Sequence, residues 1–134
     1  MHNEKSCGCI LLKDGNALLI CSLDNDNEQF WSFPKGHQNH GETNIETALR
    51  ETKEEVGLEA KIIDTNPIKT GHKIHNGYKE ILLYLAEPLN HEITPQEGEV
   101  VIAKWVPIKE VGQYLTEHYR KVGKDLLERL SLTD

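Results

Sequence analysis

Apolar segments separated by turn residues predict strands along most of the chain. SCGCILLK (6–13) and ALLICSL (17–23) are such segments, and Asp14-Gly15-Asn16 between them is typical of a hairpin turn. Asn76-Gly77 is a second turn signal, between IKTGHKI (68–74) and YKEILLYLAE (78–87). Two further segments predict strands, AKIIDT (60–65) and EVVIAKWV (99–106).

One helix is predicted between Thr43 and Val56. Thr43 and Glu46 have the spacing of a capping box, and Gly57 supplies the left-handed residue that ends a helix. With about 100° of rotation per residue, one stripe of the helix is the expected core face. That stripe contains Ile45, Ala48, Leu49, Thr52 and Val56. An acidic face about 120° away contains Glu51, Glu54 and Glu55.

The order of the elements predicts an α/β fold. After Pro107, residues 108–115 and 118–130 have helical patterns, and the second has an apolar side. That side consists of Tyr119, Val122, Leu126, Leu127 and Leu130. Strands, a helix, more strands and helices in this order predict a mixed sheet between helices, and the length predicts a single domain over 1–134.

Charge and hydropathy narrow the possible partners. A net charge of −7 argues against affinity for duplex nucleic acid, which requires clustered lysine and arginine. No apolar segment approaches the roughly 20 residues of a membrane span, so no membrane partner is expected. The N-terminal MHNEKSCGC lacks the pattern of a signal peptide, and we expect a cytoplasmic protein.

The cysteines and histidines are expected to be structural. The three cysteines have no CxxC spacing and are expected to be buried thiols: Cys7, Cys9 and Cys21. Two histidine pairs repeat at i,i+3, namely His37/His40 and His72/His75. Neither pair has the further ligands of a structural zinc site, so none is expected.

The acidic helix face has two interpretations. Glutamates on a helix are usually solvated, and Arg50 with Glu54 could form an ordinary i,i+4 ion pair. However, Gly36 and Gly41 allow the preceding loop to bring backbone groups close to a cation and an anion at that face. The helix charge alone does not decide between a solvated surface and a divalent-metal site for phosphates.

The segment 36–58 resembles the Nudix box, G-x5-E-x7-R-E-U-x-E-E-x-G-U, where U is a bulky aliphatic residue. The matching positions are Gly36, Glu42, Arg50, Glu51, Glu54, Glu55, Gly57 and Leu58. Thr52 departs from the pattern, because an aliphatic residue is usual there. The resemblance implies the Nudix α/β/α sandwich and a hydrolase in which water attacks a phosphorus of a nucleoside diphosphate derivative.

The resemblance also implies roles for individual residues. It makes Glu51, Glu54 and Glu55 ligands of Mg²⁺, or alternatively Mn²⁺, with help from the Gly36 carbonyl. Glu54 is the favoured proton acceptor for the attacking water, and Arg50 orients the carboxylates. Relatives often supply one more acid from outside the box; Glu99 is our choice, and Glu97 is its competitor.

Three segments closely resemble the asymmetrical diadenosine tetraphosphate hydrolases: SCGCI (6–10), WSFPKGH (31–37) and KEILLYLAE (79–87). This resemblance makes Lys35, His37 and Lys79 phosphate contacts. Tyr78 and Tyr84 are candidates for stacking on adenine, although an aromatic residue on a strand is more often part of the core.

The leading functional hypothesis is Mg²⁺-dependent hydrolysis of diadenosine tetraphosphate to ATP and AMP. A nucleoside triphosphate or mRNA 5′-end pyrophosphohydrolase is an alternative, because the box does not distinguish these substrates. A third alternative is a Nudix-like nucleotide sensor without turnover, which the intact acids argue against. The sequence leaves open whether the protein is a monomer or a homodimer.

Overall fold

The computed structural model describes residues 2–131, which form eight strands and three α-helices. The strands are β1 His2–Lys13, β2 Asn16–Leu23, β3 Gln29–Ser32, β4 Lys35–His37, β5 Ala60–Ile62, β6 Ile68–Ile74, β7 Gly77–Pro88 and β8 Ile102–Pro107. The helices are α1 Asn44–Val56, α2 Val111–Tyr114 and α3 Glu117–Arg129, with a 3₁₀ turn at Ile108–Glu110 before α2.

The strands form a mixed sheet with helices on both faces. The order is β3-β2-β1-β7-β5, while β4 pairs with β1, β6 with β7 and β8 with β2. The long β1 and β7 are parallel, and the other pairs are antiparallel. One apolar core lies beneath α1 and the other beneath α2 and α3. The predicted α/β/α sandwich with a mixed sheet is therefore confirmed.

Helix α1 begins and ends where the sequence predicts. The Thr43 hydroxyl accepts a hydrogen bond from the Glu46 amide at 3.1 Å, and the Glu46 carboxylate accepts one from the Thr43 amide at 2.9 Å. Gly57 ends the helix at φ 75°, in the left-handed region that favours glycine. Residues 36–42 therefore lead directly into a helix whose start is fixed by its own side chains.

The buried face of α1 contains the predicted stripe and one further residue. Ala48, Thr52 and Val56 are buried as expected, but Thr47 is buried too. Ile45 and Leu49 are partly buried and pack against the same core, as the predicted stripe requires. Thr47 can be buried because its hydroxyl donates to the Glu42 carboxylate at 3.0 Å and contacts the Thr43 carbonyl at 3.1 Å.

Thr52→Val is expected to stabilise the protein by about 1 kcal/mol, because the buried Thr52 hydroxyl has no hydrogen-bond partner among the described residues. Valine has nearly the same shape and no polar atom to desolvate. Thr47→Val is the matched control on the same face, and it should destabilise because the Thr47 hydroxyl is hydrogen-bonded. Thermal unfolding of both variants measures the difference, and a lower melting temperature for Thr52→Val would contradict it.

Other boundaries correct the sequence predictions. β8 begins at Ile102 rather than Glu99, because Gly98, at φ 83°, lies in a turn that includes Glu99. The predicted helix over 108–115 is a 3₁₀ turn followed by the short α2, and β3 and β4 were not predicted. Each of these two strands has only three or four residues, which is too short to show a period.

The remaining structural predictions concern α3 and the cysteines. Tyr119, Val122 and Leu126 are buried as predicted, and Leu127 and Leu130 are partly buried. The cysteines are buried free thiols, and Cys7 and Cys9 share the core beneath α1. Within residues 2–131, no helix is long and apolar enough to cross a membrane.

Candidate active site

A cavity of about 410 Å³ opens between β1, β4, the last turns of α1 and the loop before β8. It brings together most of the predicted site residues: Lys35, Gly36, His37, Arg50, Glu51, Glu55, Lys79 and Glu99. Segments far apart in sequence therefore supply carboxylates and ammonium groups to one space.

Gly36 lies directly against the Glu51 carboxylate. A side chain at position 36 would displace the Glu51 carboxylate from its observed position, so glycine permits this close approach. β4 pairs with β1 through Gly36 and Cys7, which holds the Gly36 backbone beside α1. The glycine of the box thus places a backbone segment next to an acidic side chain.

Arg50 holds three carboxylates and one carbonyl. Its Nε and Nη2 donate to the two oxygens of Glu42, at 2.6 and 3.1 Å. Its Nη1 donates to Glu51 at 2.9 Å and to Glu54 at 2.8 Å, and Nη2 also donates to the His37 carbonyl at 2.9 Å. Hydrogen bonds from Arg50 and from the Asn39 amide lower the pKa of Glu42 to about 2. One guanidinium therefore links the loop to the acidic face.

Glu55 is the most deeply buried of the site carboxylates. The Lys35 amide donates to its Oε1 at 2.9 Å, which fixes the carboxylate against β4. Burial raises the pKa of Glu55 to about 7, although Lys35 opposes this shift, and the charges of Glu51 and Glu99 raise it further. Burial, followed by the neighbouring Glu54, also raises the pKa of Glu51.

The loop before β8 carries Glu99 to the same cavity. The Thr94 amide donates to the Val56 carbonyl and the Gln96 amide to the Glu55 carbonyl, both at 2.8 Å. The Glu99 amide then donates to the Gln96 carbonyl at 3.2 Å. Glu99 and its competitor Glu97 are both exposed, but only Glu99 lines the cavity.

These carboxylates have the donor chemistry of a divalent-cation site. Glu51, Glu55 and Glu99 are hard oxygen donors, and burial raises the pKa of the first two, so a bound cation would favour their ionised forms. Within residues 2–131, no three Asp, Glu, His or Cys side chains are already arranged around one metal position. Side-chain rotation would be needed to enclose a cation, and Glu54 is held away by Arg50.

Two lysines provide the positive side of the cavity. The Lys35 ammonium lies 5.7 Å from the centroid of the Tyr119 ring, a cation–π distance. Burial lowers the pKa of both Lys35 and Lys79, and the mutual proximity of the lysines lowers that of Lys79 further. Clustered, partly desolvated ammonium groups favour an anion of high charge.

His37 lines the cavity but contacts another side chain. Its Nε2 is 3.0 Å from Glu4 Oε1, and this hydrogen bond is the main cause of the lowered pKa of Glu4. His37 must release Glu4, or share it, before it can contact a phosphate.

Three predicted site residues lie outside the cavity. Tyr84 is 4% exposed in the core beneath α1, so the interpretation of Tyr84 as an adenine platform is corrected to that of a core residue. Tyr78 is 46% exposed and faces other surface depressions, near His2 and Lys73. The Glu54 side chain is 47% exposed and contacts Arg50 rather than the cavity.

Three residues that line the cavity were not among the predicted site residues: Ser6, Asn39 and Gln96. Ser6 lies in the segment SCGCI, whose resemblance to diadenosine tetraphosphate hydrolases was the one available signal. Nothing in the sequence marks Gln96, which reaches the site only because its loop is hydrogen-bonded to the end of α1.

The model of the NUDIX domain family matches residues 2–130. The chain belongs to the NUDIX family. The match extends from β1 to the end of α3 and contains the whole cavity.

The curated relatives of the chain include a putative mutator protein and a tetraphosphatase. The chain is 32% identical over 124 residues to the putative mutator protein MutT4 of Mycobacterium tuberculosis, covering 85% of this chain and 49% of that protein. It is 30% identical over 126 residues to the asymmetrical bis(5′-nucleosyl)-tetraphosphatase of Mus musculus, covering 81% of this chain and 82% of the mouse protein. The chain thus spans about half the length of the mycobacterial relative.

A solved structure supports the fold. The crystal structure of a C. elegans Ap4A hydrolase binary complex matches with a TM-score of 0.80 at 20% identity, over 96% of this chain and 98% of that chain. At this identity the match shows a shared NUDIX fold.

Proposed function

We propose that this chain is a pyrophosphohydrolase whose substrate is diadenosine tetraphosphate and whose products are ATP and AMP. The observation that carries the proposal is the single cavity in which Glu51, Glu55 and Glu99 lie together with Lys35 and Lys79. Such a site can bind a cation and a polyanion side by side. Phosphoryl transfer depends mainly on this positioning and charge compensation.

Glu51, Glu55 and Glu99 are the proposed cation ligands, with the Gly36 carbonyl beside Glu51. Mg²⁺ is the proposed ion, with Mn²⁺ as an alternative, because hard oxygen donors suit both. When bound, the cation would offset the charge that spreads over the phosphate oxygens and would make water more acidic. Arg50 keeps Glu51 in place through its Nη1.

The proton of the attacking water is assigned to Glu55 rather than to Glu54. The sequence favours Glu54, but its carboxylate contacts Arg50 and does not line the cavity. Glu55 does line it, and its Oε1 is fixed against β4 by the Lys35 amide. Water then adds to one phosphorus while the bond from that phosphorus to the bridging oxygen breaks.

The lysines support a long phosphate chain. The Lys35 amide contacts Glu55, and Lys79 lies on β7, close enough to Lys35 for the Lys35 charge to lower the pKa of Lys79. A tetraphosphate has more anionic groups than a triphosphate and can contact both lysines while one phosphorus remains near the carboxylates. The similarity to the mouse asymmetrical tetraphosphatase agrees with this choice.

A nucleoside triphosphate pyrophosphohydrolase is the second candidate. The structure favours it in one respect: within residues 2–131, neither predicted tyrosine lines the cavity as a platform for adenine. The similarity to a putative mutator protein points the same way. A nucleotide sensor without turnover is less well supported, because the site carboxylates are all present.

A substrate panel tests the proposal. The purified protein is incubated with Mg²⁺ and with diadenosine tri-, tetra- and pentaphosphate, dGTP, ATP and triphosphorylated RNA, and kcat/KM and products are determined for each. The proposal expects the highest kcat/KM for the tetraphosphate. A higher value for any nucleoside triphosphate or for RNA would select the corresponding alternative, and no turnover of any substrate would favour the sensor.

Lys35→Ala is expected to lower kcat/KM for both substrates. The loss for diadenosine tetraphosphate should exceed the loss for dGTP by about tenfold or more. The reason is that the longer anion contacts both lysines and therefore depends more on Lys35. Each tenfold change in kcat/KM corresponds to roughly 1.4 kcal/mol of transition-state stabilisation. Lys61→Ala, at an exposed position of β5 outside the cavity, is the control and should leave both values unchanged. Equal losses for the two substrates would contradict a role of Lys35 in selecting chain length.

A further inference from the structure

Ser6 is buried, polar and without a partner. It is 1% exposed, and its hydroxyl has no hydrogen-bond partner among residues 2–131. An unsatisfied buried hydroxyl is rare and costs free energy, so it calls for an explanation. The Thr52 hydroxyl is also buried without a hydrogen-bond partner among residues 2–131, but it faces the core beneath α1, where no ligand can reach it.

The location of Ser6 supplies the explanation. Ser6 lines the same cavity as Glu51, Glu55 and the two lysines. In β1 it lies opposite His37 of β4 and beside Ile81 of β7. Directly opposite residues of paired strands project to the same face, so Ser6 and His37 share one face of the sheet.

Neighbouring contacts agree with this placement. Glu4, two residues earlier on β1, contacts His37, as expected for the same face. Lys79 lies beside Glu4 in the β1–β7 register, which places it one step from Ser6 along the same face. Cys7 and Cys9 point the other way, into the core beneath α1. The Ser6 hydroxyl is therefore situated between His37 and the Lys79 strand, on the cationic side of the cavity.

We propose that the Ser6 hydroxyl donates a hydrogen bond to a phosphate oxygen of the bound substrate. This inference rests on the proposed function, which makes the ligand a polyphosphate. Lysine ammonium groups only donate hydrogen bonds, and the serine hydroxyl has a free proton to donate. A phosphate chain presents acceptor oxygens to all three, which matches this wall of the cavity.

The first test is steady-state kinetics of Ser6→Ala with diadenosine tetraphosphate. We expect KM to rise about tenfold while kcat stays within about twofold, since the lost contact is made to the bound chain rather than at the reacting phosphorus. The melting temperature should not fall, because the variant removes an unsatisfied polar atom. Ser6→Cys should show nearly the same KM increase, because the thiol fills the space but donates weakly.

Two controls separate the hydroxyl from general packing effects. Ser32→Ala removes a serine on β3 that is also 1% exposed but does not line the cavity, and it should leave KM unchanged. Thr52→Val removes the other unpartnered hydroxyl and should also leave KM unchanged.

A binding measurement distinguishes failure of the inference from failure of the proposed function. The Kd of inorganic tripolyphosphate is measured by calorimetry for wild type and Ser6→Ala. If the wild type does not hydrolyse diadenosine tetraphosphate but Ser6→Ala weakens tripolyphosphate binding about tenfold, the proposed substrate is wrong and the Ser6 contact stands. Unchanged KM and unchanged Kd, or no tripolyphosphate binding by the wild type together with unchanged KM, would overturn the Ser6 contact.

Discussion

Glu55→Gln should reduce turnover by about a thousandfold or more and, at the same time, stabilise the metal-free protein at pH 8. The loss of turnover follows because a glutamine is a poor cation ligand and cannot accept a proton, and each tenfold corresponds to about 1.4 kcal/mol of transition-state stabilisation. The gain in stability follows because the ionised Glu55 is held in a desolvated position, with its pKa raised to about 7 from 4.5.

The effect of Glu55 on the free energy of unfolding should depend on pH. A carboxyl group with a raised pKa in the folded protein favours folding most below pH 4.5, and its destabilising effect grows as the pH rises to about 7. Removing the charge should therefore add on the order of 1 to 3 kcal/mol at pH 8 and little at pH 4. Urea unfolding at both pH values, in the presence of a chelator, measures the difference.

Glu54→Gln is the comparison for Glu55→Gln. It removes an exposed carboxylate from the same helix turn, so it should leave stability nearly unchanged, and it should lower kcat far less than Glu55→Gln because Glu54 does not line the cavity. If Glu54→Gln is the more damaging to kcat, the proton acceptor is Glu54, as the sequence favours. If Glu55→Gln retains near wild-type turnover, the cavity is not the active site.

Arg50→Lys is expected to destabilise the protein by roughly 2 to 4 kcal/mol and to lower kcat by about a hundredfold. Lysine keeps the charge but cannot reproduce a planar group that contacts Glu42, Glu51 and Glu54 at once. Removing one partner of a half-buried ionic network leaves the others poorly compensated. Without its contact to Nη1, Glu51 would also lose its fixed position beside Gly36.

Arg129→Lys is a matched control for Arg50→Lys. The Arg129 side chain is 27% exposed, against 28% for Arg50, and contacts Asp64 and the Asn66 carbonyl far from the cavity. It should cost some stability and leave kcat unchanged. Equal effects of both substitutions on kcat would show that Arg50 acts through general stability rather than through the carboxylates.

Local signals in the sequence predicted the elements that depend on neighbouring residues. The Thr43–Glu46 capping box and Gly57 define α1 because each contact spans only a few positions. The two turns at Asp14-Gly15 and Asn76-Gly77 likewise join the strands that they were predicted to join. The box spacing identified the family because it encodes a loop and a helix that are adjacent in the chain.

The rest of the site depends on contacts between distant segments. Glu99 reaches the cavity because the 94–96 loop is hydrogen-bonded to the end of α1, which no local pattern reveals. Tyr84 has the alternation of a strand residue, but strand pairing directs it into the core beneath α1 rather than toward the cavity. The free hydroxyl of Ser6 is visible only when β1, β4 and β7 are placed side by side.

Hydrolysis of diadenosine tetraphosphate in ¹⁸O-labelled water, with mass spectrometry of the products, tests the central claim most directly. Attack on the fourth phosphorus from the bound adenosine predicts equal amounts of ATP and AMP, with one ¹⁸O atom in AMP. Label in ATP would keep the asymmetrical cleavage but move the attack to the third phosphorus. Two molecules of ADP, or no product from a folded protein with Mg²⁺ present, would contradict the account.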